Sequence, residues 1–283
     1  MISGSFRLGV GLLCIFSLGV ETSVFCATEE EITDFIDRGN NYLLRGQLDL
    51  AIQQLDQAVS AIRQQKPNPK FAAAFYYRAC AYEAKNDFKQ SIEDLTEAIA
   101  LNPNYLIARY RRGDLYQKMG QLDDALSDYL EIVAIDSKQE HAYNNIGLVY
   151  LRQGDCDKAI SQFDKALEIN PRLINAHFNR GLAYLNKKDY FNAYSDFSKE
   201  LEISPTSFNA RHYYEAVFSF FHKDYQRSWR EIYKLQSAGF VVSPVFLEEL
   251  KKVFPEEQMQ QQDLEQESVI KRSWDEQERP EFY

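Results

Sequence analysis

The sequence is short of chain breakers, with 12 glycines and 8 prolines in 283 residues. Collagen-like and low-complexity chains need far more of both, so those classes are excluded. Cysteine is scarce as well. Cys14 and Cys26 fall near the amino terminus, which leaves Cys80 and Cys156 for the rest of the chain. A small fold stapled by disulfides carries more. Bases are in deficit, 32 Lys and Arg against 42 Asp and Glu, for a formal net charge of −10. An acidic surface repels phosphate backbones, so nucleic acid is not an expected partner. There is no Asn-x-Ser/Thr sequon.

Catalytic signatures are missing too. His141, His177, His212 and His222 form no HExxH and no other metal spacing, and no cysteine pair adopts CxxC. No phosphate-cradling glycine loop or G-x-S-x-G occurs. The expectation is a protein that is not an enzyme and uses neither cofactor nor metal.

One uncharged apolar run occurs near the amino terminus, the 13 residues from Leu8 to Val20. A membrane-spanning helix needs about 20 residues. The run follows Arg7 and precedes ETSVFCA, the layout of a secretory signal peptide cleaved after Cys26 or Ala27. Residues 1–27 are therefore read as a leader, and the mature chain is expected in a periplasm or cell envelope, or secreted, without a stable membrane span. Lipid attachment at Cys26 and an uncleaved anchor are the alternatives; Phe25 directly before Cys26 fits lipidation poorly.

What is present is a repeat. Small residues recur at Gly39, Ala79, Gly113, Gly147 and Gly181, with spacings of 40, 34, 34 and 34. Three residues after each stands a tyrosine: Tyr42, Tyr82, Tyr116, Tyr150 and Tyr184. Twelve after each comes Ala51, Ser91, Ala125, Ala159 or Ala193, and four further on Leu55, Leu95, Tyr129, Phe163 or Phe197. A glycine inside a helix costs about 1 kcal/mol relative to alanine. Its recurrence at one phase points to close helix–helix approach rather than a kink. Gly46, Asn86, Gly120 and Gly154 share a later phase, suited to the left-handed residue that ends a helix, with Lys188 a weaker match. Two residues on lies an apolar slot that includes Cys156, which reads as packing.

This 34-residue pattern resembles the tetratricopeptide repeat, a pair of antiparallel helices. The resemblance implies an all-α, right-handed superhelical solenoid of helix pairs. Its units are about 32–71, 72–105, 106–139, 140–173 and 174–207, with a degenerate sixth at 208–240. The first unit is six residues longer, and its second helix is expected to be extended before Pro67 and Pro69 break it. Ser243 and Pro244 open a capping helix over 243–254. Residues 255–283 hold nine acids and three bases and read as a disordered acidic tail. Arg112-Gly113-Asp114 falls inside a repeat helix, so it is not expected to serve as an exposed adhesion loop.

In the family, first helices line a concave groove that receives a peptide or helix. Carried over, the groove candidates are Asn40, Tyr76, Tyr110, Arg111, Asp114, His141, Asn144, Asn145, Asn175, Phe178 and Asn179. A chaperone-type carboxylate clamp matches only at Asn40 and Arg111, since Ile36, Tyr77 and Ile107 replace its other members. An asparagine ladder, as in the superhelix of O-GlcNAc transferase, matches at Asn145 and Asn179 and is broken by Tyr77 and Arg111. The expected function is a protein-interaction scaffold or adaptor binding a protein or peptide ligand. The alternatives are a self-assembling envelope protein, hence a homo-oligomer, and a regulatory subunit that holds an enzyme.

Overall fold

A computed structural model describes residues 27–258. Residues 1–26, which hold most of the expected leader, and the acidic segment 259–283, including Trp274, Phe282 and Tyr283, lie outside the described residues. Two compact units divide at residue 135. The first holds three helix pairs: α1 (Glu29–Leu44) with α2 (Leu48–Ile62), α3 (Ala72–Ala84) with α4 (Phe88–Leu101), and α5 (Leu106–Lys118) with α6 (Leu122–Ile135). The second holds α7 (Glu140–Arg152) with α8 (Cys156–Ile169), α9 (Ala176–Asn186) with α10 (Tyr190–Ile203), α11 (Phe208–Phe221) with α12 (Tyr225–Ser237), and then α13 (Pro244–Val253). No helix among the described residues is long and apolar enough to cross a membrane.

Local chemistry sets the helix ends. Thr28 and Glu31 close a reciprocal capping box on α1. Asp87, Asp155, Asp189 and Asp224 each accept the backbone N–H three residues on, capping α4, α8, α10 and α12. Every first-to-second-helix turn contains one residue with positive φ: Gly46, Asn86, Gly120, Gly154, Lys188 and Lys223. The two lysines adopt it although a side chain there costs roughly 1–2 kcal/mol.

The glycine column makes the expected close approach. A β-carbon on Gly113, Gly147 or Gly181 would lie 2.8, 2.6 or 2.7 Å from the ring of Tyr129, Phe163 or Phe197. The residue before the small one adds a feature that sequence analysis did not anticipate. Arg78, Arg112 and Arg180 each make a two-pronged ion pair with the aspartate sixteen residues on: Asp94, Asp128 and Asp196, at 2.6–2.8 Å. These carboxylates are almost fully buried, which is tolerable only because they are paired. In α7 the arginine place is taken by Ile146, itself buried.

The first unit corrects one expectation. α2 stops at Ile62, one residue longer than α4, rather than running on. The extra residues form a turn and a 3-10 segment, Pro69–Phe71, that folds back on the start of α1. Gln65 Nε2 donates to the Ala27 carbonyl at 2.6 Å, and Asn68 Nδ2 donates to Glu29. Phe71 is buried there, so the insertion contributes core rather than helix.

At the carboxyl end Ser243 caps α13 by accepting the Phe246 N–H, with Pro244 in the first turn. Phe246 and Leu250 are buried against the sixth pair, and Trp229 Nε1 donates to the Phe254 carbonyl at 3.0 Å. The sixth pair's aromatics divide: Trp229 is core, whereas Phe221 stays exposed.

Candidate ligand groove

In the second unit, α7, α9, α11 and the α8–α9 loop enclose an open groove of about 690 Å³. His141 and Asn144 come from α7, Phe178 and Asn179 from α9, and Asn209 from α11; the loop adds Asn170, Arg172, Leu173, Ile174 and Asn175. Five asparagines converge on it, and no carboxylate lines it. In a chain with ten more acids than bases, that absence sets the groove apart.

The amides are partly engaged with one another. Asn179 Nδ2 donates to Asn144 Oδ1 at 3.1 Å across neighbouring repeats. This leaves the Asn144 amide nitrogen and the Asn179 oxygen without a partner among the described residues. Asn170 accepts the Arg172 N–H and donates weakly to Glu140. Asn209, in the first turn of α11, accepts from Ser207 Oγ and the Ala210 N–H through its side-chain oxygen. The groove therefore offers both donors and acceptors, the inventory that suits a peptide backbone. Phe178 forms its floor, packed on Phe197 and Tyr213 at ring distances of 5.6 and 5.7 Å.

The loop departs from its counterparts. α5 and α11 begin three residues after Pro103 and Pro205, whereas α9 begins five after Pro171. The intervening Asn175 is left-handed, with φ 66° and ψ −6°. Its N–H is taken by Glu200 Oε1 at 3.0 Å, and the other Glu200 oxygen is buried without a partner. His177 ties the loop down from below, with Nε2 3.2 Å from the Pro171 carbonyl and Nδ1 3.1 Å from Asp196. Burial pushes the Asp196 carboxyl up, but Arg180 and His177 together outweigh it and hold the group below the usual carboxylate range.

Of the residues predicted from sequence, His141, Asn144, Asn175, Phe178 and Asn179 meet in this groove. Asn145 lies on α7 beside it, partly buried, and does not line it. The other five belong to the first unit. There Arg111 pairs with Glu83 at 2.7 Å and lies 5.5 Å over the Tyr76 ring. Asp114 accepts the Tyr129 hydroxyl at 2.6 Å, Tyr110 approaches the Tyr129 ring, and Asn40 is half-buried on α1. Burial raises the Tyr76 hydroxyl and the Cys80 thiol and pushes Tyr105 up to about 12, marks of a packed cluster. Arg112-Gly113-Asp114 lies inside α5, with Arg112 held by Asp128.

Sequence analysis missed Asn170, Arg172, Leu173 and Ile174 of the loop, Leu148 of α7 and Asn209. The signal was Glu200. Three residues after the large apolar position the chain places Ala58, Ala98, Ile132, Ala166 and Glu200, all fully buried. One carboxylate in that column marks a repeat built differently.

Stacked antiparallel helix pairs with a two-helix repeat of 34 residues define a helical repeat scaffold. Models of the tetratricopeptide repeat match residues 104–172 and 144–208, and a further TPR repeat model matches residues 79–120. The chain thus carries tetratricopeptide repeats over residues 79–208. Such repeats are typically protein-interaction modules and generally non-catalytic. No curated protein matches the chain significantly. Among solved structures it is similar to a tetratricopeptide repeat protein from Parabacteroides merdae (18% identity, 81% of this chain and 90% of the other, TM-score 0.63). It is also similar to MamA from Desulfovibrio magneticus RS-1 (24%, 64% and 99%, 0.56). A third is YrrB, a TPR protein with an unusual peptide-binding site (23%, 65% and 92%, 0.55).

Proposed function

We propose that this protein is a non-enzymatic adaptor that binds a peptide segment of a partner protein in the groove of its second unit. The observation that carries the reading is the convergence of five asparagines on one open cleft free of carboxylates. A preformed groove leaves the ligand to bear most of the ordering cost. YrrB, which shares the fold, has a peptide-binding site of its own. The leader-like residues 1–27 support export, so the partner is sought outside the cytoplasm.

The test is affinity capture with residues 28–283 from extract of the native source, read by mass spectrometry, beside the double variant Asn144→Ala with Asn179→Ala. Partners held by the parent and lost from the variant support the groove. Partners held equally by both overturn it.

A further inference from the structure

The groove admits either an extended peptide or a helix, and its irregular loop discriminates between them. Ile174 lines the groove and is 62% exposed. In a regular first turn its carbonyl would accept the Phe178 N–H. With Asn175 left-handed that bond is absent, and the Ile174 N–H and carbonyl both lack a partner among the described residues. The cause is Glu200. Its carboxylate occupies a site that holds a methyl group in three other repeats, and it needs a donor. It takes the Asn175 N–H, which reaches it only because α9 starts two residues late.

Resting on the groove reading above, we infer that Glu200 is a positioning residue that unwinds the first turn of α9, so that Ile174 pairs through its backbone with an extended peptide. One peptide residue donates its N–H to the Ile174 carbonyl and accepts the Ile174 N–H, as in a strand pair. The Asn144 and Asn179 amides bond the peptide groups beyond it, and a side chain of the peptide rests on Phe178. A helical ligand keeps its own N–H and carbonyl groups paired internally and would leave Ile174 and the amides unmet. Arg172 has no ion-pair partner among the described residues, and no carboxylate lines the groove, so an acidic residue in the peptide is accommodated.

The experiment uses the mature chain and a peptide selected on it from a randomised dodecapeptide phage library, with affinity read by fluorescence anisotropy. The peptide is then remade with single N-methylated backbone nitrogens. N-methylation at one central position should weaken binding about tenfold or more, since it removes a donor and blocks its partner. Glu200→Ala, which matches the alanine of three other repeats, should weaken it comparably. Glu200→Gln, whose amide oxygen can still accept from Asn175, should retain affinity, and the Ile174 amide should become protected from hydrogen exchange on binding. Indifference to N-methylation, a helical bound peptide, or undiminished affinity in Glu200→Ala would overturn the inference while leaving the groove intact. Peptides that bind Asn144→Ala/Asn179→Ala as well as the parent, or a library that yields none, would overturn the groove reading and the inference with it.

Discussion

Gly147 presents its bare Cα to the ring of Phe163, and a β-carbon there would come within 2.6 Å of ring atom Cε1. The same glycine–aromatic pairing holds at Gly113 with Tyr129 and at Gly181 with Phe197, whereas a β-carbon on Gly39 would meet a leucine, Leu55, at 2.5 Å, and Ala79 shares its core cluster with Leu95. Gly147→Ala gains about 1 kcal/mol of helix propensity. Overpacking should more than cancel it, for a net loss of roughly 1–2 kcal/mol. Adding Phe163→Leu should recover part of that loss, a coupling that urea denaturation of the two single variants and the double would reveal. Strictly additive effects would refute the packing account.

Asp94 and Asp196 occupy equivalent places three repeats apart, each gripped by an arginine, yet their carboxyls shift in opposite directions. Burial dominates at Asp94 and raises it. At Asp196 the hydrogen bonds from Arg180 and His177 win and lower it. The place of His177 is held by Phe75 in the earlier repeat. Asp196 therefore stabilises the fold above its unfolded value of about 3.9, and that contribution disappears as pH falls through its folded value. Asp94 has the reverse sign: its contribution is present below the unfolded value and lost as pH rises through the folded one. Carboxyl-carbon NMR titration should place Asp196 below Asp94, and His177→Phe should move Asp196 upward. The opposite order would contradict the assignment.

Much of this architecture is legible in the sequence because it repeats. A spacing of 34 multiplies weak single-residue preferences into columns, and the small, tyrosine and turn columns reappear as contacts and left-handed residues. The ion pairs escaped because Arg78 and Asp94 sit sixteen residues apart on different helices, and each alone reads as a solvated charge. The α8–α9 loop escaped for a different reason. Ile174 and Asn175 continue a plausible helix start, and nothing in the local sequence signals that a buried carboxylate 25 residues later takes the Asn175 N–H.

The end helix should contribute through a few anchors. Phe246 is fully buried among Tyr190, Phe220 and Leu250. Phe246→Ala should lower stability by about 3–5 kcal/mol. Val253, on the same helix and 47% exposed, should tolerate alanine within about 0.5 kcal/mol. Chemical denaturation followed by circular dichroism measures both. Equal effects at the two positions would mean that α13 does not pack as described.

Glu200 offers a test that needs no ligand. A buried carboxylate oxygen without a partner costs roughly 1–3 kcal/mol, and more while it remains charged. The left-handed Asn175 and the two lost residues of α9 add to that burden. Glu200→Ala removes all three at once, because the repeats with Ala58, Ala98 and Ala166 show the site can close around a methyl group. A small cavity offsets part of the gain. The net expectation is a stabilisation of about 1–2 kcal/mol, with Asn175 returning to negative φ in a crystal structure of the variant. A residue that weakens the fold while shaping the groove is the pattern expected where binding, rather than stability, sets its identity. If Glu200→Ala instead destabilises the protein and Asn175 stays left-handed, then the loop is held by His177 and Pro171, and Glu200 merely follows it.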